Sequence, residues 1–206
     1  MPVSATRPAV VVLISGAGST MAALLAAAED PSFPVRVAAV GADRDGAAGL
    51  DIAKAHDVPT FTTRFRDYPN RHSWSVALAR QVAHYRPTVV LSAGLMRILD
   101  PIFLTNCGAL VVNSHPSLLP SFAGGHAVRD ALAYGVRLTG ATIHLLDAGV
   151  DTGPIVAQTA VPVRDDDDES SLHERIKEVE REMLVRVIPE LATMTVTTDG
   201  RKVRLG

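Results

Sequence analysis

The stretch "AVVVLISGAGSTMAALLAAAED" (residues 9–30) decides the fold. Its opening run, Ala9 to Ser15, is apolar and β-branched with no polar residue on alternate positions. A strand apolar on both faces belongs in a parallel sheet covered by helices on each side. From Ser19 onward alanine and leucine recur at helical spacing. Between the two lies "SGAGSTM" (15–21), a glycine pair at the junction of strand and helix. Such a turn lets the backbone approach an anion while the free amides of the helix start point at it. Met21 stands where a dinucleotide fingerprint has its third glycine, and the lysine of a P-loop is missing. Turns of this kind also serve as plain connections; the place of this one at a strand's carboxyl end favours a phosphate seat.

The same alternation continues. "VRVAAVG" (35–41), "TVVLSAG" (88–94) and "ALVVNSH" (109–115) are further apolar runs, separated by "GAAGLDIAKAHD" (46–57) and "RHSWSVALARQVAHY" (71–85), which read as helices. The order β-α-β-α predicts an α/β fold built on an open, mostly parallel twisted sheet flanked by helices. "TGATIHLL" (139–146) and "PIVAQTAVPV" (154–163) add a strand pair. A long helix is expected from about Ser171, where "SLHE" (171–174) has capping-box form, with Leu172, Ile176, Val179, Met183, Val187 and Ile188 on its inner face. The tail "TVTTDGRKVRLG" (195–206) reads as a short hairpin turning at Asp199-Gly200. With neither repeat nor linker, residues 1–206 are expected to form one domain.

Composition narrows the function classes. A chain of 206 residues with 47% hydrophobic content can bury a sizeable core. Twenty basic and 22 acidic residues leave a net charge of −2, without a basic stripe for nucleic acid. No apolar run reaches the roughly 20 residues that span a bilayer, and "MPVSATRP" lacks a secretory core, so a cytoplasmic protein is expected. Cys107, the single cysteine, excludes an internal disulfide and a thiolate zinc cluster, and reads as packing. The acidic run "RDDDDESS" (164–171) reads as a solvated loop before a helix start.

The chemistry concentrates in "VVNSHPSLLPSF" (111–122). Asn113 and His115, two apart on a strand, share a face, and Pro116 ends the strand at the sheet's carboxyl edge. A lone histidine there would read as core; two polar groups converging in an apolar strand would cost a few kcal/mol each if left unpaired. The glycine-rich loop "LLDAGVDTGPIVAQ" (145–158) offers Asp147 and Asp151 as carboxylates to hold the imidazole protonated. Asn113 and a charged His115 could then both donate to an oxygen that gains charge in acyl transfer. Ser114 faces the other way and no G-x-S-x-G elbow surrounds Ser114 or Ser117, so a serine nucleophile is not expected. A metal held by His115, His126 and an aspartate lacks the usual ligand spacing, and no metal is expected.

These elements, together with "AGLMRIL" (93–99), "NSHPSLLPSF" (113–122) and "DAGVDTGPIVAQ" (147–158), resemble the folate-dependent formyltransferases, and among them those acting on phosphoribosylglycinamide in purine synthesis, over nearly the whole chain. The resemblance implies a Rossmann-like formyltransferase fold and direct formyl transfer from 10-formyltetrahydrofolate to the glycinamide ribonucleotide, without a metal. It implies catalytic roles for Asn113, His115 and Asp151, and decides for Asp151 over Asp147. It further implies that Gly18, Ser19 and Thr20 hold the ribose phosphate and that Glu180 meets the amine. Met96, Arg97, Ile98 and Leu99, with Asn113, would line the folate pocket, and Arg71 would meet the folate's carboxylate tail. A homodimer is the assembly to expect. The two family branches that carry an extra regulatory or RNA-binding domain are expected not to apply to so short a chain. Two departures stand out: Thr20 replaces the family's usual asparagine, and "FAGGH" (122–126) replaces a proline-containing loop and is expected to be more mobile.

Overall fold

The computed structural model describes residues 7–206; most of the amino-terminal stretch read for a secretory signal lies outside them. Strand β1 (Ala9–Ile14) leads into α1 (Ser19–Ala28), β2 (Arg36–Ala42), α2 (Gly49–Ala55) and β3 (Thr60–Thr62). Then come α3 (Arg71–His84), β4 (Val89–Ser92), α4 (Pro101–Asn106), β5 (Leu110–His115) and α5 (Ala127–Tyr134). β6 (Leu138–Leu145), β7 (Ile155–Pro162), α6 (Glu169–Thr193), β8 (Val196–Asp199) and β9 (Lys202–Leu205) complete the described chain.

The nine strands of the described residues join one sheet in the order β3-β2-β1-β4-β5-β6-β7-β9-β8. The first five are parallel, and β6 is antiparallel to both its neighbours. β1 shows why its sequence carries no alternation. Val10, Val12 and Ile14 join a core cluster with Leu24, Leu184 and Ile188, whereas Val11 and Leu13 join a second cluster with Trp74 and Leu78. Both faces of the strand are therefore covered, the first by α1 and α6 and the second by α3 and α4. Removing one of these buried leucines would cost about 2–5 kcal/mol.

The chain moves outward from β1 to β2 on one side and from β4 to β5 on the other. The strand order thus reverses between β1 and β4, which opens a crevice at their carboxyl ends. Gly18 fits the first turn there because it takes a left-handed φ of 68° and a Cβ would stand 2.8 Å from the Cα of Gly49.

One expectation needs correction, and three short elements are added. The long helix begins at Glu169, capped by Asp168, whose carboxylate accepts from the Ser171 amide while Ser171 Oγ accepts from the Asp168 amide. Ser171 is therefore the inner member of the capping box, two residues inside the helix, and the acidic run supplies the cap. The helix ends at Thr193, with Pro189 inside its last turns. The elements β3, α4 and α5 were not expected; they have three, six and eight residues, too few for a hydrophobic period to register.

Candidate active site

The crevice holds two hollows of about 310 Å³ each that share Gly94, Met96, Ser114, Pro116 and Gly125. The first is walled by the glycine turn, including Gly18, Ser19 and Thr20, and faces Arg44, His173, Lys177 and Glu180. The second is walled by Met96, Arg97, Ile98 and Leu99 on one side and by Asn113, His115 and Asp151 on the other.

Asn113 and His115 project from the end of β5 into the second hollow, as their spacing predicts. The loop between β6 and β7 brings Asp151 against them. Asp151 Oδ2 lies 3.4 Å from His115 Nδ1 and accepts from the Gly124 amide at 2.8 Å. Asp151 Oδ1 lies 3.4 Å from Asn113 Nδ2 and 3.5 Å from His144 Nε2. Asp147 stays away, accepting from the Gly149 amide and the Thr152 hydroxyl within its own loop. Asp151 has φ 53°, a left-handed conformation for a side-chain-bearing residue. Such a conformation costs on the order of 1–3 kcal/mol and persists only where neighbours hold it.

The electrostatics follow from these contacts. Burial pushes the Asp151 carboxyl up, but hydrogen bonds from His144 and the Gly124 amide, with the charge of His115, outweigh it and hold the carboxyl below its ordinary value. His115 Nε2 sits 2.9 Å from the carbonyl oxygen of Phe122. Nε2 of His115 thus donates to the Phe122 carbonyl, while Nδ1 lies within ion-pair distance of the Asp151 carboxylate.

Ser114, on the opposite face of β5, donates from Oγ to Glu180 Oε1 at 2.5 Å. Glu180 is 5% exposed rather than a surface helix residue. Burial pushes its carboxyl above the ordinary range, and the Ser114 hydroxyl and the charges of Lys177 and Arg181 pull it back only in part. A proton bound more tightly in the folded chain stabilises the fold below the unfolded-state pKa, and that contribution is lost as pH rises through the folded value. Glu180→Gln is therefore expected to raise the urea midpoint at neutral pH relative to the parent, with the gap closing toward about pH 4. An unchanged or lower midpoint at neutral pH would contradict the account of a buried carboxylate.

The folate-side expectations divide. Met96 and Ile98 are 72% and 50% exposed, forming an apolar wall open to a flat ring, whereas Leu99 is also packed in the core. Arg97 donates from Nε to Asp43 Oδ2 at 3.0 Å and lies 4.5 Å over the Phe65 ring, so its charge is engaged by the protein. Arg71 is exposed at the start of α3 and lines neither hollow. Cys107 is buried, and burial pushes its thiol up. Among the described residues no group of three or more His, Cys, Asp or Glu is placed to hold a metal ion.

Four residues that line the first hollow or touch the polar cluster escaped the sequence reading: Arg44, His173 and Lys177 in the hollow, and His144 beside Asn113 and Asp151. His144 is 1% exposed, donates from Nδ1 to the Leu145 carbonyl, and stands directly opposite Asn113 across the β5–β6 ladder. Its Nε2 lies 3.2 Å from Asn113 Nδ2. Lys177 and His173 precede Glu180 by three and seven residues, a helical spacing that could have exposed their shared face.

The formyl transferase family profile matches residues 9–188. Phosphoribosylglycinamide formyltransferase of Mycobacterium tuberculosis (strain ATCC 25618 / H37Rv) is 53% identical over 196 residues, covering 95% of this chain and 90% of the relative. The trifunctional purine biosynthetic protein adenosine-3 of Homo sapiens is 36% identical over 187 residues, 91% of this chain but 18% of that longer protein. The crystal structure of glycinamide ribonucleotide transformylase 1 from Symbiobacterium toebii superposes with a TM-score of 0.94 at 36% identity, covering 100% of this chain and 97% of that one. With its crevice, its polar cluster and its sequence in agreement, the chain belongs to the formyl transferase family.

Proposed function

We propose that this protein is a phosphoribosylglycinamide formyltransferase, moving the formyl group of 10-formyltetrahydrofolate to the amine of 5-phosphoribosylglycinamide in purine synthesis. The observation that carries the reading is the meeting of two hollows, through shared walls at Gly94, Met96, Ser114, Pro116 and Gly125, beside the polar cluster that lines the second. One hollow is cationic and amide-rich, the other apolar with Asn113, His115 and Asp151 at its edge.

Gly18, Ser19 and Thr20 present backbone amides and hydroxyls to the ribose phosphate at the start of α1, and Lys177 and Arg44 supply charge. Glu180 accepts a hydrogen bond from the acceptor amine and turns its lone pair toward the second hollow. Met96 and Ile98 lie against the pterin. As the amine nitrogen bonds to the formyl carbon, Asn113 and His115 donate to the oxygen that becomes negative. His115 Nε2, bonded to the Phe122 carbonyl in the free protein, must exchange that partner for the formyl oxygen. Asp151 keeps the imidazole charged and, through water, passes the amine's proton to the folate nitrogen as its bond to the formyl carbon breaks. Arg71 would meet the folate's carboxylate tail only through an approach along the rim. The cytoplasm is the compartment we expect, in keeping with the free, buried Cys107 thiol, and a homodimer is the assembly we expect.

The test mixes purified protein with 10-formyltetrahydrofolate, with and without the ribonucleotide, and follows the deformylated folate. Release that depends on the ribonucleotide supports the transferase. Equal release in its absence would make the protein a formyltetrahydrofolate hydrolase, with water as the acceptor, and binding of the ribonucleotide alone would leave only a nucleotide-binding module.

A further inference from the structure

Asp151 is carried by a connection between β6 and β7 that has no helix or strand of its own, yet it must hold four partners at once. The loop is tied within itself by Asp147, whose Oδ1 accepts from the Gly149 amide at 3.0 Å and from Thr152 Oγ1 at 2.7 Å. These bonds fix the loop's shape. They do not fix where the loop sits against β5, because every donor and acceptor in them belongs to the loop.

A second tie comes from the far end of the chain. Arg201, at the turn between β8 and β9, donates from one guanidinium nitrogen to the Thr152 carbonyl at 2.9 Å and from another to the Gly153 carbonyl at 3.3 Å. Those are the two carbonyls that directly follow Asp151. β9 enters the sheet beside β7, with Lys202 paired to Ile155, so the ladder delivers the neighbouring Arg201 to the loop. Arg201 forms no ion pair with a carboxylate among the described residues. Its planar fork is spent on two adjacent backbone oxygens, a geometry a guanidinium can meet with two donors at once. The hairpin that carries it lies beyond the residues matched by the family profile, which end at 188.

We infer that Arg201 is a positioning residue for the reaction: by clamping the carbonyls of Thr152 and Gly153 it sets the left-handed turn at Asp151 and the distance from that carboxylate to His115. The inference rests on the proposed formyl transfer and on Asp151 as its carboxylate. It assigns the carboxyl-terminal hairpin a part in the chemistry that its distance in sequence conceals.

The experiment is steady-state kinetics of the full chain with both substrates, on the parent, Arg201→Met and Arg201→Lys, each with its melting temperature. Methionine keeps an apolar stem and loses every donor. It is expected to lower kcat by about tenfold to a hundredfold, the scale of a carboxylate misplaced by roughly an ångström, with KM for the ribonucleotide within about twofold. Lysine restores charge and donors without the fork and is expected to recover part of that loss. The acid limb of the pH–rate profile should move upward in Arg201→Met, because Asp151 would be held less well by the groups around it: Asn113 and His115 from β5, His144 from β6, and the Gly124 amide. A methionine variant with parental kcat and only a lowered melting temperature would make Arg201 a brace of the hairpin and overturn the inference. Should that variant fail to fold, the lysine variant decides: reduced kcat at an unchanged melting temperature supports the clamp, and parental kcat overturns it. A parent protein without ribonucleotide-dependent transfer would instead sink the functional reading itself.

Discussion

Replacing Asp151 by asparagine will lower turnover by on the order of a thousandfold while leaving ribonucleotide affinity within about twofold. The carboxylate serves four neighbours, with Oδ2 toward His115 and the Gly124 amide and Oδ1 toward Asn113 and His144. An asparagine has one oxygen and one NH₂. Whichever way it lies, a donor is turned against the Gly124 amide or against the Asn113 and His144 pair, and the imidazole loses its counter-charge. The ribonucleotide's phosphate and amine are expected in the first hollow, away from this exchange, so affinity should hold. The same variant tests linkage. Asp151 binds its proton more weakly in the folded chain, so its contribution to stability is present above the unfolded-state pKa and is lost as pH falls through the folded value. Asp151→Asn should therefore flatten the loss of stability on acidification. Single-turnover kinetics and calorimetric titration with the ribonucleotide measure the first outcome, and unfolding midpoints from neutral to acid pH the second. Near-parental turnover would remove Asp151 from the mechanism.

The sheet was legible because its strands carry their burial in composition: a run such as Val10 to Ile14, covered on both faces, cannot hide in a sequence. Asn113 and His115 were legible for the complementary reason, two polar groups where that rule forbids them. The partner across the ladder was not. Whether His144 meets Asn113 depends on the register of β5 with β6, and 22 residues of loop and helix separate those strands, from 116 to 137. A shift of one residue would turn His144 to the other face, and nothing local announces which register wins. Glu180 resembles any exposed helix acid until α6 is packed against the sheet, when its Ser114 partner comes within reach. The helix start misled for a different reason: two overlapping patterns, "SLHE" and Asp168 with Ser171, both satisfy the capping rule, and the acidic residue prevails because Ser171 can serve as its reciprocal partner. Arg71 remains the residue for which resemblance and geometry diverge, since a family position carries no information on how far a side chain stands from the crevice.

Gly153→Ala will lose both stability and activity, and the contrast with Gly149→Ala shows why. A Cβ on Gly153 would stand 1.8 Å from the Leu145 carbonyl oxygen and 2.8 Å from its carbon. Both atoms are backbone, in the strand that also holds His144, and neither can rotate aside. The loop or the end of β6 must move by more than an ångström, straining the bond from the Leu145 amide to the Pro154 carbonyl. A cost of about 3 kcal/mol is expected from such overpacking, or roughly 6–12 °C in melting temperature for a chain of this size. Asp151, two residues before, moves with the loop, so turnover should fall by about a hundredfold as well. At Gly149 a Cβ would meet Thr152 Oγ1 at 2.0 Å, a closer-looking crowd but one made by a side chain. Thr152 can turn away at the expense of its hydrogen bond to Asp147, so Gly149→Ala should cost on the order of 1 kcal/mol and leave most of the turnover. If the two variants proved equally mild in thermal melts and in turnover, the carboxylate would not be held by the rigid approach of this loop to β6, and the close fit of Gly153 would have no part in placing Asp151.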